Sequence, residues 1–318
     1  MKEIGGYFEL ELNRGSSYHS MASQLNFARN CLFLIVSQRK YDRVYVPYYT
    51  CDIVITAIEK ARSKVSFYEI DECLNPVTQV SLKRNEGYLY TNYFGLKTDT
   101  VIQLSSIYGN QLIIDNAQAF FALPLENIDT FYSARKYFGT TDGAYLYSSV
   151  ALLKTIGRDY SYDRMAHLLK RIDLSAEDGY NDFKKSEEKA RVIEPRVISK
   201  LSERILDGID YNNVKTRRIE NYNYLDTVLN DYLPHGISLD NASVPMVYPY
   251  YCKKEGIREW LIANKIYVAT YWDNVLKQRG PGTVEFELTK KLIPLPIDQR
   301  YDTKDMEYII SIINSFSD

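Results

Sequence analysis

Two short strand-like runs of this sequence end in side chains that could do chemistry together. The apolar run at 112–114 stops at the carboxylate Asp115, and the run at 128–132 stops at Ser133, with Lys136 three residues later. Parallel strands bring their carboxyl ends to one edge of a sheet, where ligands bind. An acid at one strand end and a Ser-x-x-Lys at the next is the arrangement that pyridoxal phosphate (PLP) requires. The lysine forms a Schiff base with its aldehyde, the acid keeps its ring nitrogen protonated, and the hydroxyl helps to hold its phosphate.

The composition is that of an ordinary globular protein. The chain has 318 residues, 45% of them hydrophobic and 25% charged, with a formal net charge of −2. This length suits one large domain or two lobes. The near-neutral charge gives no electrostatic reason to expect nucleic acid as a partner. The longest apolar run, 31–36, is too short to cross a bilayer, and the N-terminus lacks a signal-peptide pattern, so no membrane association is expected.

Cysteine, histidine and tyrosine usage narrows the chemistry further. The four cysteines show no Cys-x-x-Cys spacing and there are only three histidines. We therefore expect neither a metal site nor a disulfide scaffold, and a cytoplasmic location. The 29 tyrosines are expected to be mostly half-buried surface and interface residues.

The stretch from 111 to 147 resembles a known family, the DegT/DnrJ/EryC1/StrS family of PLP-dependent sugar aminotransferases. Residues 114–119 (Ile-Asp-Asn-Ala-Gln-Ala) resemble its acid-x-Ala-Gln/His-Ala motif. Residues 133–136 (Ser-Ala-Arg-Lys) with 142–144 (Asp-Gly-Ala) resemble the Ser-x-Arg-Lys…Asp-Gly-Gly version of a shorter branch. The resemblance covers nearly the whole chain, but only 115–144 is specific.

The resemblance implies an α/β fold, the PLP-dependent transferase fold type I of aspartate aminotransferase. A large PLP-binding domain at 1–205 would contain a mostly parallel central sheet flanked by helices, and 206–318 would form a smaller α+β domain. Lys136 would bind PLP and serve as the catalytic base, and Asp115 would hold the ring nitrogen. Gln118 would lie near the phenolic oxygen or the ring edge, and Ser133 near the phosphate.

Two cofactor-binding segments depart from the family pattern. Ala28 and Arg29 stand where a glycine turn opens a helix whose amides cradle the phosphate, and Phe27 precedes them. Because alanine disfavours a positive φ, the local turn is expected to differ. Thr50 and Cys51 stand where many members carry an aromatic residue that stacks on the ring. Cys51 either rests its sulfur on the ring face or is a small buried hydrophobe, and Tyr48 and Tyr49 are the alternative sources of an aromatic ring.

Other stretches give less specific expectations. Asn92 and Tyr93, in the strand and loop at 88–95, are candidate substrate or cofactor contacts; the alternative is a turn asparagine and a packing tyrosine. A long amphipathic helix is expected from 200 to 229, with Arg217 and Arg218 on a solvated face; the alternative is that these arginines reach a phosphate.

Together these features predict a PLP-dependent aminotransferase of amino-sugar or surface-polysaccharide biosynthesis. It would transfer an amino group from an amino acid, glutamate by expectation, to a nucleotide-linked keto-sugar, and the resemblance implies a homodimer. The alternatives are a non-catalytic relative that binds PLP or a sugar nucleotide, and an aminotransferase acting on a non-sugar keto substrate. A dehydratase of the same family is disfavoured, because those enzymes carry histidine where this chain has Lys136.

Overall fold

A seven-stranded sheet forms the centre of the N-terminal part of the chain. The computed structural model describes residues 4–150, 156–240 and 242–316. The strands are β1 (Ser23–Leu25), β2 (Arg43–Pro47), β3 (Lys64–Tyr68), β4 (Glu86–Thr91), β5 (Leu112–Asn116), β6 (Asp129–Ser133) and β7 (Ala144–Tyr147). Their order is β1-β7-β6-β5-β4-β2-β3. Strands β2 to β6 pair in parallel, and β7 is antiparallel to β6 and β1. The predicted mostly parallel sheet is confirmed.

Helices flank this sheet and contain more residues than the strands do. The α-helices of the described residues are α1 (Ala28–Arg39), α2 (Asp52–Lys60), α3 (Thr98–Tyr108), α4 (Ala166–Asp173), α5 (Ala176–Arg191), α6 (Lys200–Asp207), α7 (Tyr211–Leu229), α8 (Ile257–Ala263), α9 (Val275–Gln278), α10 (Val284–Lys291) and α11 (Thr303–Asn314). Two antiparallel strands, β8 (Tyr248–Tyr251) and β9 (Leu292–Leu295), lie in the C-terminal part. None of the described helices is long and apolar enough to cross a membrane.

The central strands β4, β5 and β6 are buried on both faces, although polar residues lie at their ends. Every residue of β4, β5 and β6 is buried. Ile113 and Phe131 belong to the core that includes α1 and α2, whereas their neighbours Ile114 and Tyr132 belong to the larger core on the other side. This alternation follows from the two-residue period of a strand. Packing against both cores holds the ends of β5 and β6 in a fixed position relative to each other.

Tyrosine contributes more to this core than the sequence suggested. Thirteen of the 29 tyrosines are buried, which corrects the expectation that most are half-buried. Tyr88 stacks between Tyr68 and Tyr108, with ring centroids 4.6 and 4.2 Å apart. Burial is tolerated where the hydroxyl finds a backbone acceptor: Tyr68 Oη donates to Leu89 O at 2.8 Å.

The C-terminal half differs from expectation at the predicted long helix. Instead of one helix at 200–229 there are two, α6 and α7, separated at Gly208, and the Asp210 side chain caps α7 by accepting from Asn213 N–H. Arg218 on α7 is buried rather than solvated, and donates to Met246 O at 2.8 Å. The division into domains at 205/206 remains a prediction, and this position falls within α6.

Gly95 has a backbone conformation that only glycine adopts without strain. Its φ is +75°, and a Cβ there would lie 2.9 Å from Val244 O and 3.2 Å from Gln118 O. We expect Gly95→Ala to lower the free energy of unfolding by about 2 kcal/mol or more, measured by chemical denaturation. Gly109→Ala is the matched control, because its φ is +51° with no atom within 4 Å of an added Cβ. Equal losses in the two variants would contradict the steric argument.

Candidate active site

A cavity of about 220 Å³ lies at the carboxyl ends of the central strands. Asp115 comes from the end of β5, Ser133 from the end of β6, and Lys136 from the turn that follows β6. Thr91, at the end of β4, is paired in register with Asp115. The lining includes eight of the predicted site residues: Ala28, Arg29, Thr50, Cys51, Asp115, Gln118, Ser133 and Lys136.

Asp115 is a buried carboxyl group with one backbone hydrogen bond. Its side chain accepts from Ala117 N–H at 2.8 Å, and the residue is 6% exposed. Burial raises the pKa of Asp115 to about 6, against smaller opposite effects of the Ala117 amide and the nearby Lys136 cation. A second positive charge beside this carboxyl group would favour its ionised form. A protonated pyridine nitrogen is a group of that kind.

Lys136 is held on a turn that the sheet fixes at both ends. Ala134 N–H donates to Gly143 O at 3.0 Å, and Gly143 N–H donates to Asn26 O at 2.7 Å. The Lys136 Nζ lies 5.8 Å from the centroid of the Tyr271 ring. The residue itself is exposed, so its amine is accessible from the cavity.

Gln118, Thr91 and Arg135 each place in the cavity wall a buried polar atom that has no partner among the described residues. The Gln118 Oε1 accepts from Phe94 N–H at 2.9 Å, which leaves Nε2 as an unpaired donor. The hydroxyl of Thr91 is also unpaired. Since unpaired buried polar groups cost about 1–3 kcal/mol each, their presence in one cavity indicates a polar ligand. An oxygen acceptor beside Gln118 Nε2 fits the phenolic oxygen of PLP.

The N-terminus of α1 opens onto the same cavity. Phe27 precedes the helix in an extended conformation, with φ −139° and ψ 144°, and Ala28 is its first residue. Neither Phe27 nor Ala28 has a positive φ, which agrees with alanine in place of the glycine turn. The first amides of α1 and the hydroxyl of Ser133 are groups that bind phosphate well. These residues fit the phosphate of PLP.

Thr50 and Cys51 connect the cavity to the C-terminal part of the chain. The carbonyl oxygen of Thr50 accepts from Asn274 Nδ2 at 2.9 Å. Cys51 precedes α2, and its Sγ lies 3.3 Å from the Asp52 carboxylate. Burial raises the pKa of the Cys51 thiol to about 11, so the thiol is protonated at neutral pH. Cys51 lines the cavity, and its contact with a cofactor ring remains a prediction.

Asn92 and Tyr93 make structural contacts and are not among the residues lining this cavity. The Asn92 side chain accepts from Lys97 N–H at 3.0 Å and donates to Thr98 at 3.4 Å. Tyr93 is fully buried, and its hydroxyl donates to Tyr49 O at 2.8 Å. This placement favours the alternative given above, a turn asparagine and a packing tyrosine.

Sequence analysis assigned no role to several residues that line the cavity, among them Trp272 and Thr91. Trp272 lines it from the C-terminal part of the chain, with its ring centroid 5.0 Å from that of Tyr49. Thr91 lines it from β4. Trp272 is separated from Lys136 by more than a hundred residues, so only its aromatic type in a polar stretch could have indicated it. The cavity wall therefore includes the aromatic side chain of Trp272, whereas Cys51 stands where many members of the family carry an aromatic residue.

Comparisons with known proteins identify this fold. Neither a protein-family model nor a curated protein matches the chain. A DegT DnrJ EryC1 StrS aminotransferase from Brucella abortus is 14% identical, with a TM-score of 0.60, over 93% of this chain and 85% of that one. The PLP form of Spr1654 from Streptococcus pneumoniae is 13% identical, with a TM-score of 0.57, over 91% and 85%. GDP-4-keto-6-deoxymannose-3-dehydratase (ColD) with bound GDP-perosamine is 14% identical, with a TM-score of 0.62, over 94% and 88%. The chain therefore has the fold of the DegT/DnrJ/EryC1/StrS aminotransferases, as its motifs predicted.

Proposed function

We propose that this protein is a PLP-dependent aminotransferase that moves an amino group from an amino acid to a nucleotide-linked keto-sugar. One observation carries the proposal: an accessible lysine, a buried carboxyl group and an unpaired buried amide lie in one cavity at neighbouring strand ends. These groups are Lys136, Asp115 and Gln118. A surface lysine or a structural carboxylate would not need the other two groups beside it in the same cavity.

The residues of the cavity have separate roles toward the cofactor. PLP, when bound, supplies an aldehyde that exchanges amines and a ring that accepts electrons. Asp115 would hold the ring nitrogen in its protonated state, and Gln118 Nε2 would donate to the phenolic oxygen. Ser133 and the first amides of α1 would hold the phosphate, with Cys51 beside the ring.

Lys136 is the group placed to move protons in both halves of the reaction. Its amine, once free, would take the proton from the α-carbon of the donor amino acid and give it to the carbon of the cofactor's former aldehyde group. In the second half it moves a proton in the opposite direction, onto the carbon that the sugar carbonyl provides. Because one base serves both directions, the two halves share Lys136.

The sugar acceptor is proposed from the neighbouring structures. ColD, which shares the fold, is a dehydratase of a GDP-linked keto-sugar and was solved with GDP-perosamine bound. The family resemblance of this chain supports the same substrate class, and Lys136 supports amino transfer over dehydration. Glutamate is the proposed donor, and amino-sugar or surface-polysaccharide synthesis in the cytoplasm is the proposed context.

An exposed apolar surface supports a homodimer. It spans α4, α5 and the turn between them, and comprises Leu169, Ile172, Leu174, Tyr180 and Phe183. Contiguous exposed apolar side chains mark interaction surfaces. Helix α5 also contributes Glu187 and Arg191 to the cavity wall, so a second copy placed here would lie beside the site. Sedimentation analysis should give a dimer, and a monomer at micromolar concentration would contradict this arrangement.

The direct test of the proposed function is chemical labelling. PLP added to the protein should give a yellow complex, and borohydride reduction followed by peptide mapping should place the pyridoxyl group on Lys136. The reason is that Lys136 is the amine that lines the cavity beside Asp115. Labelling at other lysines, or none, would contradict the cofactor assignment.

Amine exchange then separates the remaining alternatives. Glutamate alone should change the absorption of the bound cofactor and release 2-oxoglutarate, and a nucleotide-linked 4-keto-6-deoxy sugar should restore the original spectrum. A cofactor spectrum that no amino acid changes would favour the non-catalytic relative. Restoration by a simple keto acid but by no sugar would retain the aminotransferase and refute the sugar assignment.

A further inference from the structure

Three arginine side chains surround one aromatic ring beside the cavity. The guanidinium carbons of Arg29, Arg135 and Arg164 lie 4.1, 5.4 and 5.9 Å from the centroid of the Phe27 ring. Phe27, Arg29 and Arg135 also line the cavity. Cations over an aromatic face gain some stabilisation from the ring, but three like charges at one ring repel each other. Anionic groups must therefore compensate them.

The carboxylates present compensate only part of this charge. Arg164 forms a buried ion pair with Asp159 at 3.0 Å, in which both side chains are 4% exposed. Arg29 donates to a backbone carbonyl oxygen, that of Ala190. Arg135 pairs with Glu187 of α5, while its buried Nε has no partner in the described part of the chain. Within that part, Arg29 and Arg135 thus have one carboxylate between them.

The pKa of Arg29 and the exposure of the Arg135–Glu187 pair are both consistent with this excess of positive charge. Burial lowers the pKa of Arg29 to about 10, and the nearby cations Arg135, Arg191 and Arg164 act in the same direction, against Glu187. The Arg135 and Glu187 side chains remain 21% and 38% exposed, so their pair is accessible to a competing anion.

We propose that Arg29 and Arg135 form a guanidinium site for a phosphate monoester dianion, and that Glu187 competes with this dianion for Arg135. The inference rests on the proposed function for its ligand, the phosphate of PLP. Guanidinium groups bind phosphate oxygens through paired, charge-assisted hydrogen bonds. The first amides of α1 and the Ser133 hydroxyl open onto the same cavity. The unpaired Gln118 Nε2, on a residue 2% exposed, indicates independently that this cavity takes a polar ligand.

If Glu187 competes with phosphate for Arg135, removing the charge of either residue should change the affinity for phosphate in opposite directions. Arg135→Gln should weaken binding of PLP and of inorganic phosphate to the apoprotein by about 10- to 100-fold, the loss expected for one charge-assisted hydrogen bond. Glu187→Gln should strengthen both by about threefold or more, because it frees Arg135. Pyridoxal, which lacks the phosphate, should bind the two variants and the parent protein alike. Equilibrium dialysis with these three compounds measures the effects without any catalytic step.

A purely structural ion pair gives a different result, because losing either partner would then act in the same direction. The matched control is Arg158–Glu203, a pair at 2.7 Å with 35% and 34% exposure whose members do not line this cavity. Arg158→Gln and Glu203→Gln should leave phosphate binding unchanged. If Arg135→Gln does not fold, Glu187→Gln decides alone: tighter phosphate binding supports the site, and equal or weaker binding overturns it.

The outcomes also separate this inference from the proposed function. Pyridoxyl labelling of Lys136 by PLP, with equal phosphate affinities in all variants, would overturn the guanidinium site and keep the aminotransferase. Opposite shifts in phosphate affinity without labelling of Lys136 would support the site and refute the cofactor assignment. Arg29→Gln should weaken phosphate binding in the same sense as Arg135→Gln, and no change would remove Arg29 from the site.

Discussion

Replacing Lys136 with alanine is expected to abolish both halves of amino transfer while leaving the fold intact. The side chain is accessible and belongs to a turn held by backbone hydrogen bonds, so its removal takes away chemistry and little packing. Loss of a general base alone costs up to about 10⁴-fold in rate, and the loss of covalent cofactor attachment adds to this. Single-turnover measurements of each half-reaction, with PLP supplied in excess, are the appropriate assay.

Lys136→Arg is the matched control for the charge. It keeps a cation near the Tyr271 ring but supplies no nucleophilic amine, so we expect it to be as inactive as the alanine variant. An arginine variant that retains substantial activity would mean that Lys136 acts only through its charge. An alanine variant with near-normal rates in either half would exclude Lys136 as the shared base.

Replacing Asp115 with asparagine is expected to slow the first half-reaction by about 10²- to 10³-fold and to stabilise the apoprotein above neutral pH. The rate falls because the charge that stabilises the ring as an electron acceptor is gone. Asp129→Asn is a suitable control, since Asp129 is equally buried but lies at the opposite end of the neighbouring strand, paired with Arg39. That variant should lose stability without a comparable loss of rate per folded molecule.

The stability effect follows from the sign of the pKa shift. Burial raises the pKa of Asp115 from 3.8 to about 6. Between these two pH values the folded apoprotein holds a proton that the unfolded chain has released. The stability that this proton contributes is complete below pH 3.8 and is lost as the pH rises through about 6. Asparagine avoids the buried charge, which makes the variant more stable at pH 8 by up to about 3 kcal/mol. Unfolding curves of the two apoproteins at pH 4 and pH 8 should converge at the lower pH; a constant difference would contradict the linkage.

The sequence predicted the strand ends well and the contacts between distant segments poorly. Asp115 follows a run at 112–114 that is apolar on both faces, and such a run is stable in the middle of a parallel sheet. Ser133 and Lys136 follow a strand whose Phe131 and Tyr132 are buried on opposite faces. Trp272 could not be placed in this way, because its position depends on how the C-terminal part folds against the loop at Tyr49 and Thr50. Arg218 was misjudged for the same reason: a polar helix pattern does not show that the chain at Met246 later covers the side chain.

The cavity wall formed by Trp272 has a practical consequence for spectroscopy. The chain contains only two tryptophans, Trp272 in the cavity and Trp260 on α8. Tryptophan emission overlaps the near-ultraviolet absorption of a conjugated pyridine aldehyde, so a bound chromophore quenches a nearby indole by resonance energy transfer. A Trp260→Phe protein would carry a single tryptophan, located in the cavity wall. Its emission would report occupancy of the cavity in real time, without a substrate or an attached dye.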